Sequence, residues 1–285
     1  MRIAGCVIVL GMVFSYPQIT AAAASEALRI FGAEVFPVLY PYMVLTRLIS
    51  LSSQHKGGTG MLTILLGLMG GSPSGASMLR FWSESKALDK RIAYTFCALT
   101  GTISPMFLLN TVGTWLGNPT LTSFLVISHF LGAALSALSI YVFFPSEIPT
   151  IQIDSSSVSD LRNTDIIASC VSSVLGIGGC IVFFSVCSAM VSLVIPDENE
   201  LLSACVHGLL EIAGGLKSLL GISTQPKHVT VILTAVFCGF SGISMLSQNA
   251  LFLRPLGITM YQLIVIGIFR AMLCGLVMML LTLLF

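Results

Sequence analysis

Long hydrophobic runs, separated by short polar segments, dominate the chain. A helix needs about 20 apolar residues to cross the hydrocarbon core of a bilayer. Runs of that length predict spanning helices at 3–23, 35–53, 92–116, 119–144, 165–195, 229–253 and 261–285. The pattern therefore predicts an all-α, polytopic membrane helical bundle.

Two further apolar segments, 59–82 and 200–221, contain residues that interrupt helices. The first holds the sequence Gly-Gly-Ser-Pro-Ser-Gly at 70–75, and the second holds Ala-Gly-Gly at 213–215. Proline removes a backbone donor, and glycine permits a sharp turn. Each segment is interpreted as two half-helices that meet at mid-membrane, forming a re-entrant helical hairpin; a simple kink is the alternative.

The two halves of the chain contain the same elements in the same order. Each half gives a span, an interrupted segment, a broken span and a final span, which predicts two Gate-like repeats in one membrane domain. Corresponding interruptions in two halves are typical of a transporter binding site. The parts are an N-terminal span and connection at 1–34, the first repeat at 35–144, a polar linker at 145–164 and the second repeat at 165–285, with the broken spans interrupted at 100–105 and 239–244.

The relative direction of the repeats depends on whether the interrupted segments cross the membrane. If each is a re-entrant hairpin, three spans separate the starts of the two halves, and the repeats are inverted. If each crosses, the repeats are parallel. Charge favours inverted repeats with a cytoplasmic N-terminus, because the basic segment 83–91 then lies inside and the acidic run 197–200 lies outside, as does Phe285.

The first 24 residues allow two interpretations. Arg2, an apolar stretch and the alanines at 21–24 resemble a signal peptide. The apolar stretch, about 18 residues long, is also long enough to span, and a retained first span is preferred. The chain is predicted to be a multi-pass protein of the cell membrane.

Composition supports a membrane protein and argues against several other classes. Of 285 residues, 55% are hydrophobic and only 9% are charged, whereas a soluble domain carries about 25% charged residues. The net charge of +1 gives no field for nucleic acid. The eight cysteines form no Cys-x-x-Cys pair, so they are interpreted as small buried hydrophobes. Neither a metal site, a cofactor site nor an enzyme motif is predicted.

Residues at the interruptions are predicted to bind a small polar or anionic solute. A half-helix that starts near Ser74 would direct backbone N–H groups towards the bilayer centre. Glu211 would bind a cation or carry a proton, with an ion pair to Lys217 as the structural alternative. The predicted site residues are Ser72, Pro73, Ser74, Gly75, Thr102, Ser104, Pro105, Asn110, Glu211, Gly214, Gly215, Lys217, Ser241 and Ser244.

Other polar residues within the apolar segments are secondary candidates. Gln248 and Asn249 extend the polar stretch that follows Ser241, and Arg270 lies near the middle of the last span, where it needs a partner. A lone buried histidine, in contrast, is more often a packed side chain than a ligand. The further candidates are Arg47, His129, His207 and Ser247.

Several of these motifs together resemble the sporulation integral membrane protein YlbJ family, within the wider Gate-domain (nucleoside-recognition) membrane proteins. The resemblance runs from about residue 35 to the end. It implies a role in endospore formation and a fold related to nucleoside transporters, without an agreed substrate. Its landmarks are Gly-Ser-Pro-Ser-Gly-Ala at 71–76, Ile-Ser-Pro-Met-Phe at 103–107, Gly-Asn-Pro at 117–119, Leu-Glu-Ile-Ala-Gly-Gly-Leu-Lys at 210–217 and Gly-Phe-Ser-Gly-Ile-Ser at 239–244.

Two functions remain in competition at this point. The leading hypothesis is a secondary transporter or channel-like protein for a small polar solute, with a coupling ion and with lipid as its surroundings; a homo-oligomer is compatible with it. The alternative is a non-transporting structural or assembly protein of the spore-envelope membrane. A transporter requires a polar cavity that joins the two interruptions, whereas an assembly protein requires only a partner surface.

Overall fold

A computed structural model of the chain describes residues 2–53, 59–85, 88–144, 150–151, 163–195 and 199–284. These residues are helical except for short turns and one pair of two-residue strands. Phe285, the acidic residues 197–198 and most of the predicted linker 145–164 lie outside the described residues. Predictions that rest on them therefore stay predictions.

The helices of the first half follow the predicted order of elements, with one short strand between them. A π-helical segment, Phe31–Val35, separates α2 from α3, and another, Phe107–Val112, precedes α7. The elements are α1 (Arg2–Ser15), α2 (Pro17–Ile30), α3 (Phe36–Ser53), α4 (Thr59–Gly70), α5 (Ser74–Ser85), β1 (Leu88–Asp89), α6 (Lys90–Thr100), α7 (Gly113–Leu116) and α8 (Pro119–Phe143).

The second half repeats this order from a long helix onwards. Before it, the strand β2 pairs with β1 in antiparallel register, Leu88 opposite Ile151. This small pairing was not predicted. The elements are β2 (Thr150–Ile151), α9 (Asn163–Ser192), α10 (Glu200–Leu210), α11 (Ile212–Gly221), α12 (Lys227–Phe240), α13 (Gly242–Leu253), a 3-10 turn (Arg254–Leu256) and α14 (Met260–Leu284).

Within the described ranges, five helical stretches are long and apolar enough to cross a membrane. The chain is thus an all-α, multi-pass membrane protein, as its hydrophobic pattern predicts. The stretches are Pro17–Ile49, Pro119–Phe143, Asp165–Ser192, Lys227–Leu256 and Met260–Leu284.

The N-terminal region differs from the prediction of separate spans at 3–23 and 35–53. The backbone stays helical from Pro17 to Ser53, through the π-helical segment, so the expected connection is part of a helix. Its charged residues pair along that helix, with Arg29 Nη2 2.7 Å from Glu26 Oε1. The alanines at 21–24 are strong helix formers, and together with this pair they favour continuation over a turn.

The first interrupted segment forms a helical hairpin. The helices α4 and α5 are 12 residues each, which corresponds to about 18 Å of helix. They turn at residues 71–73 and pack side by side, so that a Cβ added to Gly67 would lie 3.4 Å from the Cα of Gly75. The hydroxyl of Tyr42 on α3 donates to the carbonyl of Leu66 and attaches the hairpin to its neighbour.

The second interrupted segment also forms a hairpin, but its turn lies at Glu211 rather than at residues 213–215. Gly214 and Gly215 are inside α11. A Cβ added to Gly215 would lie 2.1 Å from both the Cα and the amide nitrogen of Gly208. The glycines therefore bring the backbones of α10 and α11 together, and the turn itself is made by a residue that can cap a helix.

The helix α6 runs parallel to α14. Near the start of both helices, Gln262 Nε2 donates to Tyr94 Oη at 2.7 Å. Further along both helices, Arg270 Nη1 donates to the carbonyl of Ala98 at 3.3 Å. Residue numbers along α6 and α14 increase in the same direction, so the two helices are parallel.

The helix α12 runs antiparallel to α14. Val236 lies against Gly275, and Phe240, four residues later, lies against Gly267. Because α6 is parallel and α12 antiparallel to the same helix, the two broken helices approach each other from opposite ends. They both end beside the middle of α14.

A side chain at position 215 should disrupt the second hairpin. In Gly215→Leu, the added carbons meet the backbone of α10, and we expect a loss of about 3 kcal/mol of stability. Gly221→Leu is the matched control, because Gly221 is exposed and a Cβ there meets nothing within 4 Å. Melting temperatures of the detergent-solubilised proteins distinguish the two. Equal melting temperatures for Gly215→Leu and the parent would contradict the observed packing.

Candidate functional site

The tip of the first hairpin lies in the break that follows α6. The amide of Ser72 donates to the carbonyl of Thr102 at 2.7 Å. Gly71 has a φ of +63°, and a Cβ on it would lie 2.5 Å from the amide nitrogen of Ser104. Only glycine fits this approach, which closes one hairpin tip onto one helix break.

The same tip also contacts the second half of the chain. The hydroxyl of Ser72 donates to Oδ1 of Asn249 on α13 at 2.5 Å. Asn249 is buried. A single residue at the hairpin tip thus connects the break of the first broken helix, through its backbone amide, to the polar stretch of the second, through its hydroxyl.

The tip of the second hairpin consists of Glu211 and its neighbours. Glu211 has an extended backbone and follows α10 directly. Its carboxylate accepts hydrogen bonds from the amides of Ala213 at 3.0 Å and Gly214 at 2.7 Å, so it caps the N-terminus of α11. The partial positive charge at that terminus stabilises the carboxylate.

The second tip lies against the break between α12 and α13. Ser241 and Gly242 both have left-handed backbone, with φ of 73° and 76°. A Cβ on Gly242 would lie 3.3 Å from the carbonyl oxygen of Gly208 and 3.4 Å from the amide nitrogen of Ile212. Each half of the chain therefore places a hairpin tip beside a broken helix.

Arg270 of α14 joins the two broken helices. Its Nε donates to the carbonyl of Gly239 at 2.7 Å, and its Nη1 donates to that of Ala98 at 3.3 Å. In unbroken helices these carbonyls would accept from residues 243 and 102, which lie beyond the ends of α12 and α6. Arg270 is 1% exposed, and none of the ion pairs among the described residues involves it. Backbone carbonyls are the partner that the sequence indicated Arg270 would need.

Space for this contact comes from a glycine at the end of α6. A Cβ on Gly101 would lie 2.8 Å from Nη1 of Arg270. Nη2 of Arg270 donates to the hydroxyl of Ser241 at 3.3 Å, and that hydroxyl is 3.5 Å from the carbonyl oxygen of Gly101. Residues of both breaks thus meet around one guanidinium group.

His129 of α8 binds the other side of the first break. Its Nε2 accepts from the amide of Ile103 at 3.1 Å. The neutral ring therefore carries its proton on Nδ1, and this atom is buried without a partner. In the part of the chain that the structure describes, Ser74 Oγ and Thr102 Oγ1 are also buried without a partner. Three unused polar groups thus belong to residues beside the first break.

The remaining predicted residues are distributed unevenly. Ser104 is half-buried and accepts from the amide of Phe107, and Ser244 is buried beside Gln248. Asn110 and Lys217 are exposed. An ion pair between Lys217 and Glu211, the structural alternative to an ion site at Glu211, is not among the described ion pairs; the carboxylate of Glu211 caps its own helix instead.

Two cavities lie near these elements. One of about 10 Å³ is lined by Arg270, Asn249, Thr100 and apolar residues, and it has the size of a single water molecule. The other, of about 360 Å³, lies at the open end of the second hairpin and is lined by Glu200, Lys217 and serines. Neither is lined by Ser72, Glu211 or Ser241.

Sequence reasoning located most of these elements but underrated Arg270 and His129. Both appeared only as secondary candidates, because neither belongs to a motif. The sequence signal for them was a cation or an imidazole in an apolar span that has no acidic residue nearby. Such a side chain pairs with backbone groups instead of a carboxylate.

Comparison with known proteins gives one informative result. The chain is 21% identical over 294 residues to the sporulation integral membrane protein YlbJ of Bacillus subtilis (strain 168), covering 84% of this chain and 71% of the relative. The predicted resemblance to this sporulation family is thereby confirmed as a distant one. No family model matches the chain, and no solved structure matches it.

The cap at Glu211 should contribute measurably to stability. Glu211→Ala removes both hydrogen bonds to α11, and we expect a loss of about 1 kcal/mol. Glu211→Asp keeps a carboxylate at the cap and should stay close to the parent. Thermal unfolding in detergent is the measurement, and an unchanged midpoint for Glu211→Ala would show that the cap adds nothing.

Proposed function

We propose that the protein is a secondary transporter or channel-like protein that moves a small polar or anionic solute across the membrane of a sporulating cell, with an ion as the coupling partner. The observation that carries the proposal is the convergence of two hairpin tips and two broken helices on buried polar groups. The unpaired backbone groups at such breaks cost free energy in lipid. Transporters have breaks of this kind where solutes and ions bind.

The proposed architecture is a pair of Gate-like inverted repeats with two re-entrant hairpins. The hairpin helices have 10 to 12 residues, about half of the length that is needed to cross a hydrocarbon core of about 30 Å. The opposite directions of α6 and α12 support inversion, as do equivalent breaks in the two halves. The same arrangement fits a cytoplasmic N-terminus, with Lys90 and Arg91 inside and Lys227 outside.

The proposed binding site lies between the two breaks. Hydroxyl and amide groups of Ser72, Thr102 and Asn249 would contact the solute from one side, and Ser241 and Ser244 would contact it from the other. Glu211 would act through its hairpin tip, whose position it sets by capping α11. Arg270 would hold the two sides at a constant separation.

One observation favours the alternative, a non-transporting assembly protein of the spore-envelope membrane. The cavity beside Arg270 is only about 10 Å³, which is too small for an organic solute. A transporter would have to open this region by moving a hairpin tip, whereas an assembly protein would keep it closed. In a transporter, the contact between Ser72 and Asn249 would break when the tip moves. In an assembly protein, the same contact would persist.

Uptake into proteoliposomes tests the proposal. A panel of labelled small polar and anionic solutes is screened with the parent protein, and the best solute is then used with Glu211→Gln and Ser72→Ala. We expect Ser72→Ala to change uptake about fivefold, the factor that corresponds to a hydrogen bond of about 1 kcal/mol. Glu211→Gln should lower uptake at a normal protein level, because a neutral amide caps the positive end of α11 less well than a carboxylate.

Ser123→Ala serves as the control, because Ser123 is exposed on α8 and bonds only to its own helix. Sporulation efficiency of cells that carry each variant is measured in parallel. If no solute enters and both variants sporulate normally, the transport proposal is wrong and the assembly function is favoured.

A further inference from the structure

The final helices of the two halves carry Arg270 and His129 at matching positions. α8 and α14 are 25 residues each, and each of the two residues is the eleventh of its helix. The helices cross one another closely nearby, where Gly132 of α8 lies against Cys274 of α14. An internal two-fold relation between the halves would exchange these two side chains.

The two residues also perform complementary tasks at the breaks. Arg270 donates to carbonyls that the breaks leave free, whereas His129 accepts from the amide of Ile103. The contact of the Cys274 thiol with the carbonyl of His129, at 3.6 Å, places the two helices side by side at this level. Freed donors and freed acceptors of the interrupted backbone are thus satisfied from one pair of adjacent helices.

We propose that Arg270 and His129 are the positioning residues of the site, which hold the interrupted ends of α6 and α12 together and aligned so that the hairpin tips can dock there. This inference rests on the proposed function, since it concerns the same site. It assigns the two residues to the backbone of the breaks rather than to the solute.

The electrostatic balance supports this assignment for Arg270. A helix C-terminus carries about half a negative charge. The C-terminal ends of α6 and α12 both face the guanidinium, so together they offset about one positive charge. None of the acidic side chains that the structure describes is buried. Without Arg270, two like partial charges would face each other in a low-dielectric core and separate.

Native cysteines provide a local readout of each break. Cys97 on α6 and Cys238 on α12 are both buried, and each lies within the last turns before a break. Two parent proteins are prepared, each retaining one of these cysteines with the other seven replaced by alanine. Labelling by N-ethylmaleimide in membrane vesicles, followed by intact mass, then reports the opening of one broken helix at a time.

Arg270→Met should increase the labelling rate of both cysteines about tenfold or more, because both helix ends lose their common donor and open locally. Arg270→Lys should protect one cysteine and expose the other, since an ammonium group lacks the fork that reaches both ends. Arg254→Met is the matched control; Arg254 is exposed after α13, and labelling should be unchanged.

His129→Leu should increase the labelling of Cys97 and leave Cys238 protected, because His129 binds only the break of α6. His129→Gln keeps an acceptor for the amide of Ile103 and should restore protection. Equal exposure of both cysteines in His129→Leu would indicate general unfolding and overturn the assignment. Full protection of both cysteines in Arg270→Met would overturn it as well.

The labelling experiment needs no transported solute, so its outcome is independent of the uptake assay. Failure of the expected labelling pattern would remove the positioning role and leave the transport proposal standing. The expected pattern together with no uptake of any solute would sustain the positioning role and count against transport. Circular dichroism of each purified variant verifies that the helices are intact.

Discussion

The buried guanidinium of Arg270 is the interaction on which the centre of the molecule depends. Two helices end in the middle of the protein, and the carbonyls of Ala98 and Gly239 lose their normal partners there. A free carbonyl in an apolar core costs free energy comparable to a lost hydrogen bond. Arg270 supplies several donors from one side chain to both ends. The breaks can therefore coexist at one place only because a third helix carries this charge between them.

The hairpins obey the same constraint on backbone polarity. Each hairpin turns inside the protein against a broken helix, and the amide groups at the turn need partners from the protein. At the first tip the carbonyl of Thr102 is the partner of Ser72; at the second tip the side chain of Glu211 caps α11. The amide at the first tip is thus paired with a carbonyl of another helix segment, whereas the amides at the second tip are paired with a side chain of the same tip. This difference explains why a charged residue is tolerated at the second tip.

Much of the architecture could be predicted from hydrophobic runs and helix-breaking residues. The interruptions at 70–75, 100–105 and 239–244 are all present, because glycine, proline and clustered hydroxyls act locally. The turn of the second hairpin was misplaced for an instructive reason. Gly214 and Gly215 looked like turn residues, but Gly215 serves close contact with Gly208, and a glycine gives the same signal in both roles. The break was marked instead by Glu211, a residue that a hydrophobicity pattern shows only as an isolated charge.

The contacts of Arg270 and His129 could not be predicted, because their partners are backbone groups on helices that are distant in sequence. A charge in a span needs a partner, and the usual partner is a carboxylate, but none of the described ion pairs involves Arg270. Backbone carbonyls leave no trace in a sequence, and they become available only when a helix ends. The helix breaks and the buried arginine therefore explain each other: the breaks create the acceptors that the arginine needs, and the arginine removes the cost of leaving those acceptors in an apolar core. A sequence that kept the breaks but lost Arg270 would leave both helix ends without their common donor, and the ends would separate, so that the docking positions of the two hairpin tips would be lost.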